Sequence, residues 1–100
     1  MSVIVIGRFK SDPANLEKVF AERAADFVAV SEEAKGVGAL HHQFAAGDGE
    51  VIIIDEWDSA ESFQKFFGSN TVIPQIMQAA GVQGAPEFSF YESMDSPDRF

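Results

Sequence analysis

From Ser2 to Phe9 (SVIVIGRF) the chain is apolar and β-branched. This run predicts a first strand with Val3, Val5, Gly7 and Phe9 on one face and Ile4, Ile6 and Arg8 on the other. Asp12 followed by Pro13 is a helix start, because proline at the first helical position gives up an N–H that has no partner there anyway. Leu16, Val19, Phe20, Ala24, Phe27 and Val28, flanked by Val30 and Ala34, then recur at three- and four-residue spacing opposite Glu17, Lys18, Glu22 and Asp26. This predicts one long helix ending at Gly36, with Lys35 beside its carbonyl end. Val37–Ala46 and Glu50–Trp57 flank Gly47-Asp48-Gly49 and predict a hairpin. Asp58, with Glu61 three residues on, predicts a capping box for a helix over Ser59–Phe67 that runs to Gly68. A shorter helix from about Thr71 carries Val72, Ile73, Ile76 and Met77 to Gly81, with Pro74 tolerable only in its first turn. After a loop at Val82–Pro86, Glu87–Ser93 predicts the last strand. Residues 1–94 then form one domain, and 95–100 a polar, frayed tail.

The order β-α-β-β-α-α-β predicts an α+β, ferredoxin-like fold: four antiparallel strands with helices on one face. A half-exposed antiparallel strand alternates apolar with polar residues. The first and third strands do not, since Val51 and Ile53 back onto Ile52 and Ile54 just as Val3 and Val5 back onto Ile4 and Ile6. The helices can cover only one face. The expectation is therefore a homodimer packed sheet to sheet through the open face, unless the extra aliphatics merely satisfy strand propensity.

Composition narrows the function. One hundred residues and 10.9 kDa allow a single core, and 46% apolar with 23% charged residues is globular. The absence of cysteine removes disulfides, thiolate nucleophiles and iron–sulfur clusters. The longest aliphatic runs, Val3–Ile6 and Val51–Ile54, are far short of a membrane span or a signal-peptide core, so a cytoplasmic location is expected. The net charge of −9 is concentrated after residue 35, where only Lys65 and Arg99 stand against the acids. Such a field disfavours nucleic acid and anionic membranes as partners.

The β-α-β-β-α-β core, a glycine before the second strand, and Asp55-Glu56-Trp57-Asp58-Ser59-Ala60-Glu61-Ser62-Phe63 at the third strand's end resemble the antibiotic biosynthesis monooxygenase family of the dimeric α/β-barrel superfamily. The resemblance covers about residues 3–92 and is strongest in the structural junction around Trp57. It implies a dimeric barrel that binds a small apolar or aromatic molecule. Family enzymes oxygenate polyketide-like aromatics without a cofactor, act on quinol-like compounds, or degrade haem. Relatives often carry a histidine nine residues after the motif tryptophan, where this chain has Phe66. The asparagine, tryptophan and histidine of the haem-degrading branch fall on Gly7, Phe66 and Ile76, so no axial ligand for haem and no cofactor are expected.

The residues left to carry chemistry are His41, His42, Asp55, Arg8, Tyr91 and Trp57. Neighbouring strand residues point to opposite faces, so His41 and His42 cannot serve one site within a subunit. A two-residue Asp48-Gly49 turn pairs His42 with Asp55 and His41 with Glu56, whereas a three-residue turn pairs His41 with Asp55. A histidine facing a carboxylate has its tautomer fixed, as a general base on a phenol or enol requires, though the same pair can simply brace a hairpin. One histidine and one carboxylate are too few for a metal site. Trp57 is a junction plug or a stacking platform. Phe63, Phe66, Phe67, Ile76 and Met77 line a ligand cavity or fill the core, with side-chain-free Gly7 as a floor. Arg8 is expected near the sheet edge or paired with a partner's acid such as Glu56, and Tyr91 either donates to a ligand or packs. No phosphate-binding glycine loop or serine elbow is present. The expected function is small-molecule binding with cofactor-independent oxygenation of a phenolic or quinol-like aromatic. The alternatives are a non-catalytic, ligand-sequestering or stress-associated barrel, and a pure assembly module.

Overall fold

The structure is a computed structural model that describes residues 2–100. Its elements are β1 (Val3–Lys10), α1 (Pro13–Glu22), α2 (Ala24–Gly36), β2 (Ala39–Gly47), β3 (Glu50–Trp57), α3 (Ala60–Ser69), α4 (Ile73–Ala79) and β4 (Gln83–Glu92). The strands form one antiparallel sheet in the order β2-β3-β1-β4. This is the expected ferredoxin-like α+β arrangement. Among the described residues no helix is long and apolar enough to cross a membrane.

Burial alternates along β3 and, from Ile4 onward, along β1. Val5, Gly7, Phe9, Val51, Ile53, Asp55 and Trp57 are buried under the helices. Val5, Phe9, Ile53, Trp57, Phe63 and Phe66 form one cluster; Leu16, Val19, Val51, Ile76 and Ala80 form another. Side chains of this size contribute about 1.5–3 kcal/mol each when fully removed from water, so these two clusters dominate the stability. On the opposite face Ile4, Ile6, Ile52 and Ile54 are only half-buried within one chain, beside exposed His41, Gln43 and Tyr91.

Several local expectations change. The long first helix is two helices, broken at Arg23 (φ −126°, ψ 33°). The Arg23 N–H closes α1 on the Val19 carbonyl while its own carbonyl accepts from Asp26 and Phe27. The apolar spacing runs through this break without a proline or glycine to mark it, so periodicity could not show it. The Asp58/Glu61 capping box is replaced by Ser59, whose Oγ accepts from the Ser62 N–H at 3.1 Å. Asp58 instead fills the space beside Gly38, donating its N–H to the Gly38 carbonyl at 2.9 Å. A side chain at Gly38 would collide with that carboxylate, and its φ of +122° suits glycine alone. Helix α4 starts at Ile73, because Asn70 Oδ1 accepts from both Val72 and Ile73 N–H at 2.9 Å; Pro74 does lie in its first turn. Strand β4 begins at Gln83, taking in the expected loop. The ladder shifts register between Arg8 and Lys10, and Pro86 on this edge strand has no interior ladder to break.

One further placement is corrected. Arg8 lies on inner strand β1 rather than at a sheet edge, exposed and donating to Ser89 Oγ at 3.5 Å. The tail turns back, with Arg99 donating to Asp95 at 2.9 Å and reaching Glu56, which also accepts from Ser2 Oγ. At Gly7 an added Cβ would lie 2.8 Å from both Ile53 Cγ1 and Phe88 Cε1. Gly7→Ala is expected to cost about 1–3 kcal/mol of folding free energy, measured by urea denaturation.

Candidate active site

The β2–β3 hairpin pairs Gly47 with Glu50, so the turn is the two-residue Asp48-Gly49 form, with Gly49 at φ +69°. This register sets His42 opposite Asp55 and His41 opposite Glu56. A shift between Ala39 and His41 leaves Leu40 as the extra residue, 63% exposed at the strand's start.

Asp55 is 4% exposed. Its Oδ1 lies 2.6 Å from His42 Nδ1, and its Oδ2 accepts from Trp57 Nε1 at 3.0 Å. Trp57 reaches back along its own strand, since residues two apart share a face. As a carboxylate, Asp55 only accepts. His42 Nδ1 therefore carries the proton toward it, and Nε2 is the nitrogen left to act as a base. His42 keeps 45% of its side chain exposed, so the dyad joins a buried carboxylate to an accessible imidazole. Phe44 packs edge-on to the His42 ring at 5.0 Å.

The dyad borders a cavity of about 760 Å³ between the sheet and the helices. Trp57, Phe63, Phe66, Ile76 and Met77 all line it. Gly7 does not, because Ile53 and Phe88 close over it. His41 borders the cavity rim but bonds Gln43 Oε1 at 2.9 Å rather than Asp55. Tyr91 stands opposite Ile4 on the open sheet face, away from the dyad. Among the described residues no group of three or more histidine, aspartate or glutamate side chains could hold a metal ion.

The helical spacing predicts Phe20 and Phe27 as part of a core stripe and says nothing of Phe44. In the structure they form an aromatic trio on the cavity wall, with ring centres 5.0 to 6.1 Å apart. Only the spacing of Phe44 two residues after His42, which puts both on one strand face, could have signalled its role.

No family model matches the chain, and no curated protein matches it either. Solved structures do. The cofactor-independent oxygenase SnoaB of Streptomyces nogalater shares 19% identity at a TM-score of 0.63, with 98% of each chain covered. A monooxygenase from ActVA-Orf6 of Streptomyces coelicolor, in complex with the ligand nanaomycin D, shares 19% identity at a TM-score of 0.65 over 95% of this chain and 89% of that one. A structure described as an antibiotic biosynthesis monooxygenase shares 10% identity at 0.63 over 93% and 99%. The chain has an antibiotic biosynthesis monooxygenase-like fold.

Trp57→Phe removes the one indole donor to a buried carboxylate while keeping most of the ring. It is expected to cost about 1–3 kcal/mol, read from chemical denaturation, because Asp55 Oδ2 then lacks a partner.

Proposed function

We propose that this protein binds a planar, electron-rich phenolic or quinol-like aromatic between its sheet and helices and oxygenates it without a cofactor. In this reading His42 is the base and Asp55 its orienting partner. The observation that carries it is a buried carboxylate holding a half-exposed imidazole by Nδ1 at 2.6 Å on the wall of a mostly apolar cavity. His42 Nε2 takes the acidic proton of the bound phenol or its keto tautomer, and Asp55 stabilises the imidazolium that forms. The substrate anion gives electrons to dioxygen and forms a carbon-bound peroxide. Loss of water, with the proton returned from His42, leaves a carbonyl: a ring CH2 and O2 become C=O and H2O. The cavity's apolar walls keep water from the anion until dioxygen reacts. The likeness to a cofactor-independent oxygenase and to a monooxygenase holding nanaomycin D supports this class of substrate.

The working unit in this reading is a homodimer. The half-buried isoleucines of the open face, Ile4, Ile6, Ile52 and Ile54, pack against a second copy, burying apolar surface that the helices leave uncovered.

A second reading, a ligand-binding barrel without turnover, is favoured by Phe66 and Ile76. Both are buried apolar side chains in the cavity wall, so the dyad stands without a nearby polar partner there.

Oxygen uptake with a panel of anthrones and quinols separates the two. Turnover that falls at least a hundredfold in His42→Ala, with the melting temperature little changed, is the expected result. Ligand-induced thermal stabilisation without oxygen uptake would leave the second reading standing. Gel filtration is expected to give an apparent mass near twice 10.9 kDa, and Ile6→Glu is expected to shift it to the monomer.

A further inference from the structure

Three of the four helices drive buried side chains into the core: α1 through Leu16 and Val19, α3 through Phe63 and Phe66, and α4 through Ile76. α2 buries none. It nevertheless roofs the cavity, with Phe27, Val30 and Ala34 in the lining and Val28 62% exposed beside them. It is held by partial contacts. Phe27 meets Phe20 and Phe44, and Val30 touches both core clusters. Among the described residues one side-chain hydrogen bond joins α2 to a residue beyond β3: Asn70 Nδ2 donates to Glu33 Oε2 at 3.1 Å. Asn70 is itself buried and fixed by its two bonds to the α4 start, so the donor is rigid and the acceptor sits on the loosely held helix.

Both ends of α2 leave helical geometry, and the pivot at its C-terminal end is anchored where the Gly38 carbonyl accepts from the Asp58 N–H. Arg23 lies outside helical geometry and gives α2 no side-chain cap, and after Val37 the chain passes through Gly38 at φ +122°. An element with little buried apolar surface, between two such joints, belongs to the low-stability end of a fold.

We propose that α2 is a hinged lid over the cavity, swinging between Arg23 and Gly38, with Glu33–Asn70 as its latch. Closed, it seals the apolar space over Phe44 and His42; open, it admits an apolar ligand. The proposal depends on the cavity being a ligand space and on no particular reaction.

Hydrogen exchange followed by mass spectrometry tests the lid directly. Amides of residues 24–36 are expected to exchange at least about tenfold faster than those of α1 and α3. Glu33→Ala, which leaves the Asn70 cap intact, is expected to raise exchange in α2 alone by roughly fivefold, the loss of one charge-assisted hydrogen bond. Glu33→Gln keeps an acceptor and is expected to stay near the wild type. Stopped-flow binding of 1-anilinonaphthalene-8-sulfonate tests the gate, with Trp57, the one tryptophan and part of the cavity wall, as energy-transfer donor. Glu33→Ala is expected to raise association and dissociation rates together by a similar factor, leaving the dissociation constant within about twofold, as an opening equilibrium requires. Exchange in α2 as slow as in α1 overturns the lid and leaves the His42 reading untouched. Unchanged dye rates in Glu33→Ala overturn the latch. Failure of the wild type to bind the dye overturns the gating role.

Discussion

A buried carboxylate organises the candidate site. Asp55 stands in a strand whose other inward positions are Val51, Ile53 and Trp57, and an ionised group there is costly unless each oxygen has a partner. The fold supplies two. Trp57 is two residues along the same strand. His42 lies across the hairpin and can reach only in the two-residue turn register. Shifting the pairing by one residue would put His41 against Asp55 and send Phe44 to the wrong face. The turn residue Gly49, the hairpin register and the electrostatics of the site are therefore one constraint seen at three scales.

The same hairpin sets the shape of the cavity. With His42 and Phe44 facing the helices, the space beside them must be closed by helical side chains. α1, α3 and α4 do this with buried leucine, phenylalanine and isoleucine, while α2 lines it without a buried residue of its own. The break at Arg23 separates α2 from α1, so α2 lines the cavity as an element of its own. Trp57 and the phenylalanines of α3 interlock at the core, while α2 is held by partial contacts only.

The open sheet face answers to different physics. Its isoleucines stay half-buried within one chain, since the helices sit on the other face. Acidic charge is concentrated in the last two-thirds of the chain, and Arg99 folds back to pair with Glu56 at 3.7 Å.

Much of the fold could be read from the chain directly, because strand alternation, the Gly47-Asp48-Gly49 turn and the helical spacing of Phe63, Phe66 and Phe67 are local patterns with local causes. The identity of the candidate pair, a histidine of the second strand against Asp55, followed from the same geometry. The choice between His41 and His42 did not, since both turns are compatible with the residues and only the packed register distinguishes them. The break at Arg23, the cap at Ser59, the closure of Gly7 by Ile53 and Phe88, and the Phe20–Phe27–Phe44 wall were likewise beyond the chain's own pattern. The first two are settled by local backbone bonds that apolar periodicity does not encode, and the last two by contacts between residues far apart in sequence. Periodicity states which side of an element is apolar, but only the assembled fold decides whether that side meets another side chain or an empty space.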